Sequence, residues 1–437
     1  MVIRKRILFG STVTENPVPS SSGSIIKLQG MTNNTPTVLG FNKELLTSHV
    51  LLLGGTGSGK TNTMLHLVSQ LKNAMGPDDI MLVFDTKLDF DIFQRTNDSV
   101  ITYRDAKGKA YWNIFGEIVA DGWDKANISA NADEISELLF SKAIKDSGQP
   151  FFPMAARDTF SAILKAMCFL GANDKNYRIK HLKNSSLLQY TSIMDAEKLH
   201  SFLRNFPELS GVLKYIGDGT SDQALGVFAE LQQVVSKAFS GQFSNVDGMF
   251  SVRQFVKQRG GRTLFIEYNP SNGISLQPIY SLITDMFLKE ALNPLKNRKG
   301  HIYILLDEMK LLPQLMHLED ALNFGRSLGF SIIAGIQSME QLYEVYGEIA
   351  GRNIASAFQT VICFRTNNEA SRKYIKSLGG ENMYVLQYAK SSGSSSEEKG
   401  TGCVIEDWDI ASLKRGEAIA CLPFHPPSKI QFTKFRG

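Results

Sequence analysis

A short apolar run, a glycine-rich stretch and an amphipathic run follow one another early in this sequence, and they limit what the chain can fold into. Leu51–Leu53 predicts a buried strand, and Gly54–Thr61 reads GGTGSGKT, which fits G-x-x-x-x-G-K-[ST]. Apolar residues then recur at helical spacing over Met64–Leu71. A strand, a glycine-rich loop and a helix in this order predict a phosphate-binding loop, and therefore a nucleotide-binding protein.

Each residue type in this loop has a chemical reason. Glycines let the backbone turn its N–H groups toward phosphate oxygens, and the start of the helix adds a positive dipole end. Lys60 is predicted to reach the outer phosphates and the Thr61 hydroxyl to bind magnesium, so ATP and Mg²⁺ are the predicted cofactors. The predicted nucleotide-binding residues are Gly55, Thr56, Gly57, Ser58, Gly59, Lys60, Thr61 and Asn62.

The composition is that of an ordinary globular protein with room for two domains. The chain has 437 residues, of which 43% are hydrophobic and 21% charged, and its net charge of +4 permits contact with nucleic acid without requiring it. Four cysteines without C-x-x-C spacing suit a reducing cytoplasm. No run approaches the roughly 20 apolar residues of a membrane span. We therefore expect a cytoplasmic protein that reaches the inner face of the cell membrane only through a partner.

Changes of pattern along the chain predict its domains. Residues 1–40 contain short β-like pieces and predict a β-rich appendage. Residues 123–243 have helical periodicity and few β-branched runs, which predicts an inserted all-α domain. Residues 41–122 and 244–437 alternate apolar strands with helices and predict an α/β nucleotide-binding domain with a mostly parallel sheet. Within the latter range, the composition of Ser391–Gly400 predicts a mobile loop.

Two predicted strands end in residues suited to nucleotide hydrolysis. The run Tyr303–Leu306 ends in Asp307 and Glu308, and the run Ser331–Ile336 ends in Gln337. Because parallel strands present their carboxyl ends at one edge of a sheet, these side chains are predicted to lie beside the phosphate loop. Asp307 is predicted to hold magnesium through water, Glu308 to polarise the attacking water, and Gln337 to contact that water or the γ-phosphate. Together with the loop, this predicts a RecA-like core that hydrolyses its nucleotide.

Two arginines are candidates for stabilising transition-state charge from a neighbouring subunit. Arg326 lies within Asn323–Gly329, and Arg365 follows the predicted strand Thr360–Phe364. The residues by themselves leave both candidates open.

The region around the acidic pair resembles the conjugative type IV coupling proteins of the TraD/TraG kind, within the FtsK–HerA superfamily of DNA-pumping ATPases. The resemblance is best over Leu305–Leu315 and continues through Gly325–Arg326 and Gly335–Gln337. Val83–Asp89 is similar to the family's strand end D-P-K-G-[DE], and Trp112–Asn113 is similar to its W-N-P. The resemblance covers most of the chain from about residue 40 onward.

This resemblance implies a RecA-like P-loop NTPase core with an inserted all-α domain, assembled as a ring-shaped hexamer. The ring would hydrolyse ATP between subunits and drive single-stranded DNA through a central channel toward a secretion pore, with relaxase or secretion-channel proteins as partners. Among the two arginines it favours Arg326 over Arg365 as the residue that acts between subunits. The matched nucleotide-site positions are Lys60, Thr61, Asp307, Glu308 and Gln337.

The chain departs from the family pattern in two ways. Thr86 and Leu88 replace the usual proline and glycine, while Asp85 and Lys87 are in place. The family's N-terminal membrane helices have no counterpart here, which fits a soluble relative, a truncated chain or a protein recruited by a membrane partner. Two other functions stay open: a nucleotide-switched adaptor that recruits protein or nucleoprotein cargo, and a soluble HerA-like motor that acts on duplex DNA in repair or phage defence.

Overall fold

The computed structural model describes residues 2–16, 23–244, 248–271, 273–293, 300–313, 315–389 and 395–436. The chain forms two compact units. The first unit comprises residues 1–94, 299–310 and 319–437, and the second comprises residues 95–298 and 311–318.

The strands of the described residues are numbered in chain order. They are β1 Val2–Phe9, β2 Ile26–Thr32, β3 Thr35–Phe41, β4 Val50–Leu53, β5 Ile80–Asp85, β6 Ser99–Ile101, β7 Arg262–Glu267, β8 Ile302–Leu306, β9 Phe330–Ile336, β10 Thr360–Phe364, β11 Glu381–Ala389, β12 Ser395–Cys403, β13 Glu417–Cys421 and β14 Ser428–Phe432.

The α-helices of the same residues are numbered likewise. They are α1 Lys43–Thr47, α2 Lys60–Ala74, α3 Ile114–Ile118, α4 Lys125–Asp146, α5 Phe151–Asn173, α6 Lys175–His181, α7 Asn184–Ser192, α8 Ala196–Leu203, α9 Leu213–Ile216, α10 Asp222–Ala238, α11 Val252–Gln258, α12 Gly273–Leu292, α13 Leu318–Phe324, α14 Met339–Tyr346, α15 Glu348–Ala357, α16 Glu369–Gly379 and α17 Asp407–Ala411.

The first unit is built on a mixed sheet whose strands follow the order β3-β2-β14-β13-β10-β4-β9-β8-β5. The strands pair in parallel in β10–β4, β4–β9, β9–β8 and β8–β5. They pair antiparallel in β10–β13, β13–β14, β14–β2 and β2–β3. Every residue of β4, β5, β8, β9 and β10 is buried, as expected of parallel strands that are covered on both faces. This confirms the predicted α/β class with a mostly parallel sheet.

The strand order places the predicted hydrolytic residues beside the phosphate loop. β4, which precedes the loop, pairs with β9, and β9 pairs with β8. Since these strands are parallel, the residues after Leu53, Ile336 and Leu306 all emerge at the same edge of the sheet. β5 pairs with β8 and brings the residues after Asp85 to this edge as well.

A second, three-stranded antiparallel sheet has the order β1-β11-β12. The prediction of a mobile loop over Ser391–Gly400 is wrong for residues 395–400, which lie in β12, whereas residues 391–394 lie outside the described residues. Gly400 pairs with Tyr384, and a Cβ at Gly400 would lie 2.8 Å from the tyrosine ring. The small residue that made this segment look like a loop is thus what lets the aromatic ring cover the strand.

The predicted appendage, residues 1–40, contributes strands to both sheets of the first unit. β1 belongs to the three-stranded sheet, while β2 and β3 lie at one end of the large sheet. That residues 1–40 form a separate domain remains a prediction.

The second unit contains the region predicted to be all-α. Residues 123–243 are all described, and they contain helices α4 to α10 and no strand. The same unit also includes the parallel pair β6 and β7, which lie outside that range. The compact unit is therefore larger than the predicted insert, and the predicted boundaries at 122/123 and 243/244 stay predictions.

The Trp112–Asn113 motif has a structural role in the second unit. The Trp112 indole N–H donates to the buried carboxylate of Glu117 at 2.8 Å, and Glu117 also accepts from the Val252 N–H at 2.6 Å. The Asn113 side chain accepts from the Phe115 N–H and so caps α3. The motif thus orders the segment before the helices of this unit.

In the part of the chain that the structure describes, no helix combines the length and the hydropathy needed to cross a membrane.

Candidate active site

The phosphate loop joins β4 to α2 in the conformation that its glycines permit. Gly57 has φ of 73° and Gly59 has φ of 129°, both in the region that side chains other than glycine rarely adopt. A Cβ on Gly59 would lie 3.0 Å from Gly416 Cα. Both backbone conformation and space therefore require glycine at this position.

Neighbouring strand ends hold the loop. The Gly54 N–H donates to the Ile336 carbonyl at 3.2 Å, and the Gly55 N–H donates to the Arg365 carbonyl at 3.0 Å. From the other side, the N–H of Gly416, which directly precedes β13, donates to the Ser58 carbonyl at 2.8 Å. The loop is thus anchored to the ends of β9 and β10 and to the turn that precedes β13.

The Lys60 side chain folds back onto the loop. Its Nζ donates to the Gly54 carbonyl at 2.5 Å and is 3.3 Å from the Gly55 carbonyl. Burial lowers the pKa of Lys60 below its usual value, and the nearby carboxylates of Glu308 and Asp307 oppose this shift. An ammonium that donates to loop carbonyls and lies near two carboxylates in a partly buried position is well suited to bind an anionic phosphate.

Hydrogen bonds connect the loop, Gln337 and Glu308. The Thr56 hydroxyl donates to Gln337 Oε1 at 3.2 Å, and Gln337 Nε2 donates to Glu308 Oε2 at 2.7 Å. Burial raises the pKa of Glu308, whereas the Gln337 bond and the charge of Lys60 act against the increase. The structure therefore brings together the glutamate and glutamine that were predicted to act on the attacking water.

Two side-chain oxygens at this site are buried without a hydrogen-bond partner among the described residues. They are Glu308 Oε1 and Ser58 Oγ. A buried polar atom without a partner costs roughly 1–3 kcal/mol, so such atoms in a native fold call for an explanation. An oxygen that is free beside Lys60 and Gln337 is available to accept a proton from a water or substrate group.

Asp307 is buried and receives a hydrogen bond from the Thr86 hydroxyl, which follows β5. Sequence reasoning treated Thr86 only as a departure from the family pattern and missed this contact. The sequence did contain a signal for this contact, namely a hydroxyl residue directly after a predicted parallel strand. Thr61 and Asp307, the predicted magnesium residues, both line one cleft. Hydroxyl and carboxylate oxygens suit Mg²⁺ when phosphates and water complete its coordination.

The loop that carries Thr86 is held by hydrogen bonds to the side chain of Asp85. The Asp85 carboxylate accepts the backbone N–H groups of Lys87 at 3.1 Å, Asp89 at 3.2 Å and Phe90 at 3.0 Å. Leu88, where the family has glycine, adopts φ of 62°. Burial raises the pKa of Asp85 to about 6, although these N–H groups favour the carboxylate.

These residues surround an open cleft with a volume of about 610 Å³, which is within the ~300–1,000 Å³ range of small-molecule sites. Sequence reasoning missed the cations Lys87, Arg415 and Lys434 in its wall. Only Lys87 had a signal, because it lies in the D-P-K-G-like loop, whereas the other two flank β13 and β14. The lining residues are Thr56, Gly57, Gly59, Lys60, Thr61, Asn62, Lys87, Asp307, Glu308, Gln337, Arg415, Gly416, Gln431, Phe432 and Lys434.

Asn62 lines the cleft but its amide is already used. Its Nδ2 donates to the Thr433 carbonyl at 2.9 Å, and its Oδ1 accepts the Phe435 N–H at 2.8 Å. These bonds hold the segment after β14 against α2. Contact between Asn62 and a nucleotide stays a prediction.

The two candidate arginines lie at opposite ends of the parallel strands. Arg326 precedes β9, a strand of seven residues that is therefore about 20 Å long. It lies at the amino ends of the strands, away from the phosphate loop. One of its guanidinium nitrogens is 3.5 Å from Glu44 Oε1. Arg365 follows β10 at the loop's own edge, with an exposed side chain. Neither arginine is among the residues that line the cleft.

Gly335 in β9 packs against the residues that carry the site. A Cβ there would lie 2.3 Å from the Asp307 carbonyl oxygen and 2.7 Å from Met64 Cε. Gly335→Ala is therefore expected to destabilise the protein by about 1–3 kcal/mol, because a backbone oxygen cannot move aside cheaply. Urea unfolding measures this difference. Gly148→Ala is the control, since no atom lies within 4 Å of its added Cβ, and an equal loss in both variants would contradict the packing argument.

Most of this chain is similar in sequence to known coupling proteins. Residues 33–410 match the model of the type IV secretion-system coupling protein DNA-binding domain. The coupling protein TraD of Escherichia coli K12 is 23% identical over 83% of this chain and 48% of its own length. The coupling protein VirD4 of Bartonella henselae is 21% identical over 90% of this chain and 63% of its own length. The chain thus spans about half to two thirds of these relatives.

Solved structures of a conjugative coupling protein share the fold. The unbound form of TrwBdeltaN70 superposes with a TM-score of 0.76 and 20% identity, over 100% of this chain and 94% of that one. TrwB in complex with ADP and Mg²⁺ gives a TM-score of 0.72 and 19% identity, over 99% and 95% of the two chains. At this level of identity the likeness establishes the fold.

Proposed function

Because this chain belongs to the family of type IV secretion-system coupling proteins, we propose that it is an ATP-hydrolysing motor that drives DNA toward a secretion channel. The observation that carries the proposal is the hydrogen-bonded series from Thr56 through Gln337 to Glu308, in the same cleft as Lys60. A site built only to hold a nucleotide has no need of a carboxylate with a free, buried oxygen. The complex of TrwB with ADP and Mg²⁺ supports the same choice of nucleotide and metal here.

The proposed chemistry assigns one task to each side chain. Lys60 exchanges the loop carbonyls for phosphate oxygens, and the backbone of the loop surrounds the phosphates. Mg²⁺ held by Thr61 and Asp307 would neutralise charge on the outer phosphates. Glu308 accepts a proton from the attacking water, and its raised pKa makes it a better base than an ordinary glutamate.

Gln337 has a positioning task in this proposal. Its amide connects the Glu308 carboxylate to the Thr56 hydroxyl in the loop. Binding of a γ-phosphate in the loop would compete for these bonds and so alter the orientation of Glu308. This would let the strand end of β9 respond to the state of the nucleotide.

We further propose that Arg326 acts on the nucleotide of a neighbouring subunit. The length of β9 separates Arg326 from the loop of its own chain, so only a head-to-tail assembly would bring the two together. Two exposed phenylalanines support an interface there: Phe324, close to Arg326 in sequence, and Phe424, which lines the same groove as Arg326. Phe424 is fully exposed with φ of 62°, an unusual conformation for an aromatic residue.

A head-to-tail contact that repeats until it closes gives a ring, which we propose to be a hexamer around a DNA channel. Single-stranded DNA is the proposed substrate, and relaxase or secretion-channel proteins are proposed partners. Association with the membrane is proposed to occur through such a partner.

Lys60→Ala is expected to weaken ATP binding by about 10- to 100-fold and to abolish DNA-stimulated hydrolysis, because it removes a charge-assisted bond to phosphate. Equilibrium binding of a fluorescent ATP analogue and phosphate release measure the two effects. Lys373→Ala, which removes an exposed lysine from α16, is the control.

The same assay on the unaltered protein separates the functional alternatives. Stimulation by single-stranded DNA supports the proposed motor. Stimulation by duplex DNA alone would favour a motor that acts on duplexes. A rate of hydrolysis that does not change when DNA is added would favour a nucleotide-switched adaptor. Normal hydrolysis by Lys60→Ala would contradict the assignment of the site itself.

A further inference from the structure

Thr86 contacts the carboxylate that the proposed site uses for its metal. The Thr86 hydroxyl donates to Asp307 Oδ2, and only 8% of Thr86 and 5% of Asp307 is exposed. The two residues follow neighbouring parallel strands, β5 and β8, and are 221 positions apart in sequence. Asp307 lines the cleft, whereas Thr86 does not, so Thr86 acts on the cleft only through Asp307.

The loop that carries Thr86 has a defined backbone conformation of its own. The Asp85 carboxylate accepts the loop N–H groups of Lys87, Asp89 and Phe90. Leu88 takes a left-handed conformation that a leucine adopts only where its surroundings require it. The hydroxyl is therefore presented to Asp307 from a loop with its own network of bonds. A flexible loop could not hold a carboxylate in one orientation.

We propose that Thr86 is a positioning residue that holds the Asp307 carboxylate in the orientation needed to bind magnesium with the nucleotide. This inference rests on the proposed nucleotide site. A carboxylate bound to a hydroxyl loses rotational freedom, so less entropy is lost when its remaining lone pairs meet a cation or the water bound to it. A hydrogen-bond partner behind a metal ligand commonly changes metal affinity by about 10- to 100-fold when it is removed.

The proline that the family pattern places here has no hydroxyl to donate. The contact is therefore a property of this chain, which a threonine at this one position creates. Valine has nearly the same shape as threonine and lacks the donor, so Thr86→Val removes the bond with little change in volume.

The second unit provides a matched control. The Thr102 hydroxyl donates to the carboxylate of Glu267, which also pairs with Arg104, and both Thr102 and Glu267 are buried. Thr102 follows β6 as Thr86 follows β5, and neither Thr102 nor Glu267 lines the cleft. Thr102→Val therefore reports the general cost of removing a buried hydroxyl from a carboxylate.

The experiment measures equilibrium binding of a fluorescent, non-hydrolysable ATP analogue to the whole chain, with and without Mg²⁺. For Thr86→Val we expect the affinity for the analogue without Mg²⁺ to stay within about twofold of that of the unaltered protein. The Mg²⁺ concentration that gives half of the metal's effect on binding is expected to rise about tenfold. Thr102→Val is expected to stay within about twofold in both measurements. Thr86→Ser keeps the hydroxyl and is expected to stay within about threefold.

Each outcome decides the proposal. Unchanged Mg²⁺ dependence in Thr86→Val would overturn it, as would an equal change in Thr102→Val or in Thr86→Ser. If Thr86→Val fails to fold, Thr86→Ala is compared with Thr86→Ser in the same assay, and equal Mg²⁺ dependence in that pair would overturn it. If the unaltered protein binds no nucleotide, the proposed function fails. If it binds with Mg²⁺ and Thr86→Val does so equally, only the inference on Thr86 fails.

Discussion

Glu308→Gln is expected to lower the rate of ATP hydrolysis by about 10²- to 10⁴-fold while ATP binding stays within about threefold of the unaltered protein. The glutamine keeps the size of the side chain and can still bond Gln337, but it cannot accept a proton from water. The free, buried oxygen of Glu308 is the atom that loses this capacity. Phosphate release under single-turnover conditions, together with equilibrium binding of ATP, separates the two quantities.

Glu319→Gln is the control for this substitution, since Glu319 is an exposed glutamate in the first turn of α13. It is expected to hydrolyse ATP at the rate of the unaltered protein. Hydrolysis by Glu308→Gln within about threefold of that rate would contradict the assignment of Glu308 as the base. Loss of ATP binding in the same variant would instead indicate that Glu308 holds the nucleotide.

Arg326→Ala is expected to lower hydrolysis by about 10³-fold or more, as the loss of an arginine that stabilises transition-state charge from a neighbouring subunit does in other nucleotide hydrolases. ATP binding by the isolated chain is expected to persist, because Arg326 does not line the cleft of its own chain. Phosphate release at protein concentrations that allow assembly is the measurement.

A mixture of two inactive variants tests whether Arg326 acts on another chain. In a head-to-tail assembly, Lys60→Ala supplies an intact Arg326 to the intact loop of Arg326→Ala, so the mixture is expected to recover part of the activity that each variant lacks alone. Arg352→Ala is the control, since Arg352 pairs with Glu348 on an exposed helix surface. Assembly without recovery would contradict action between chains.

The same mixing experiment applies to Arg365, the alternative that the sequence left open. Arg365 lies at the loop's own edge, and its carbonyl holds the Gly55 N–H. If Arg365→Ala, and not Arg326→Ala, loses activity that mixing restores, the two assignments are exchanged.

Local pattern was sufficient to predict the central part of the site. Val50–Leu53 and Ile302–Leu306 are short apolar runs that are buried on both faces, and such runs are recognisable because parallel strands are covered on both sides. The rule that parallel strands present their carboxyl ends together then predicted that Asp307, Glu308 and Gln337 would meet the phosphate loop. The bond between Gln337 and Glu308 agrees with that reasoning.

Segments of polar composition were predicted less well, because their structure comes from partners far away in the chain. β12 forms by pairing with β11, which pairs in turn with β1 near the other end of the chain. Its serine, glutamate and glycine residues show no alternation of apolar and polar side chains that would predict a strand. Arg415 and Lys434 enter the cleft for a similar reason, since the antiparallel pairing of β13 and β14 brings them there.

Residue type and short-range periodicity were enough to predict the strand, loop and helix of the phosphate site and the acidic strand end. The side chains that support them could be found only in the folded chain. Tertiary structure placed Thr86 on Asp307 across 221 positions, and it placed Arg326 at the edge of the sheet away from its own loop. Such contacts depend on strand order and direction, and these follow from how the whole chain buries its apolar runs rather than from the residues beside each site.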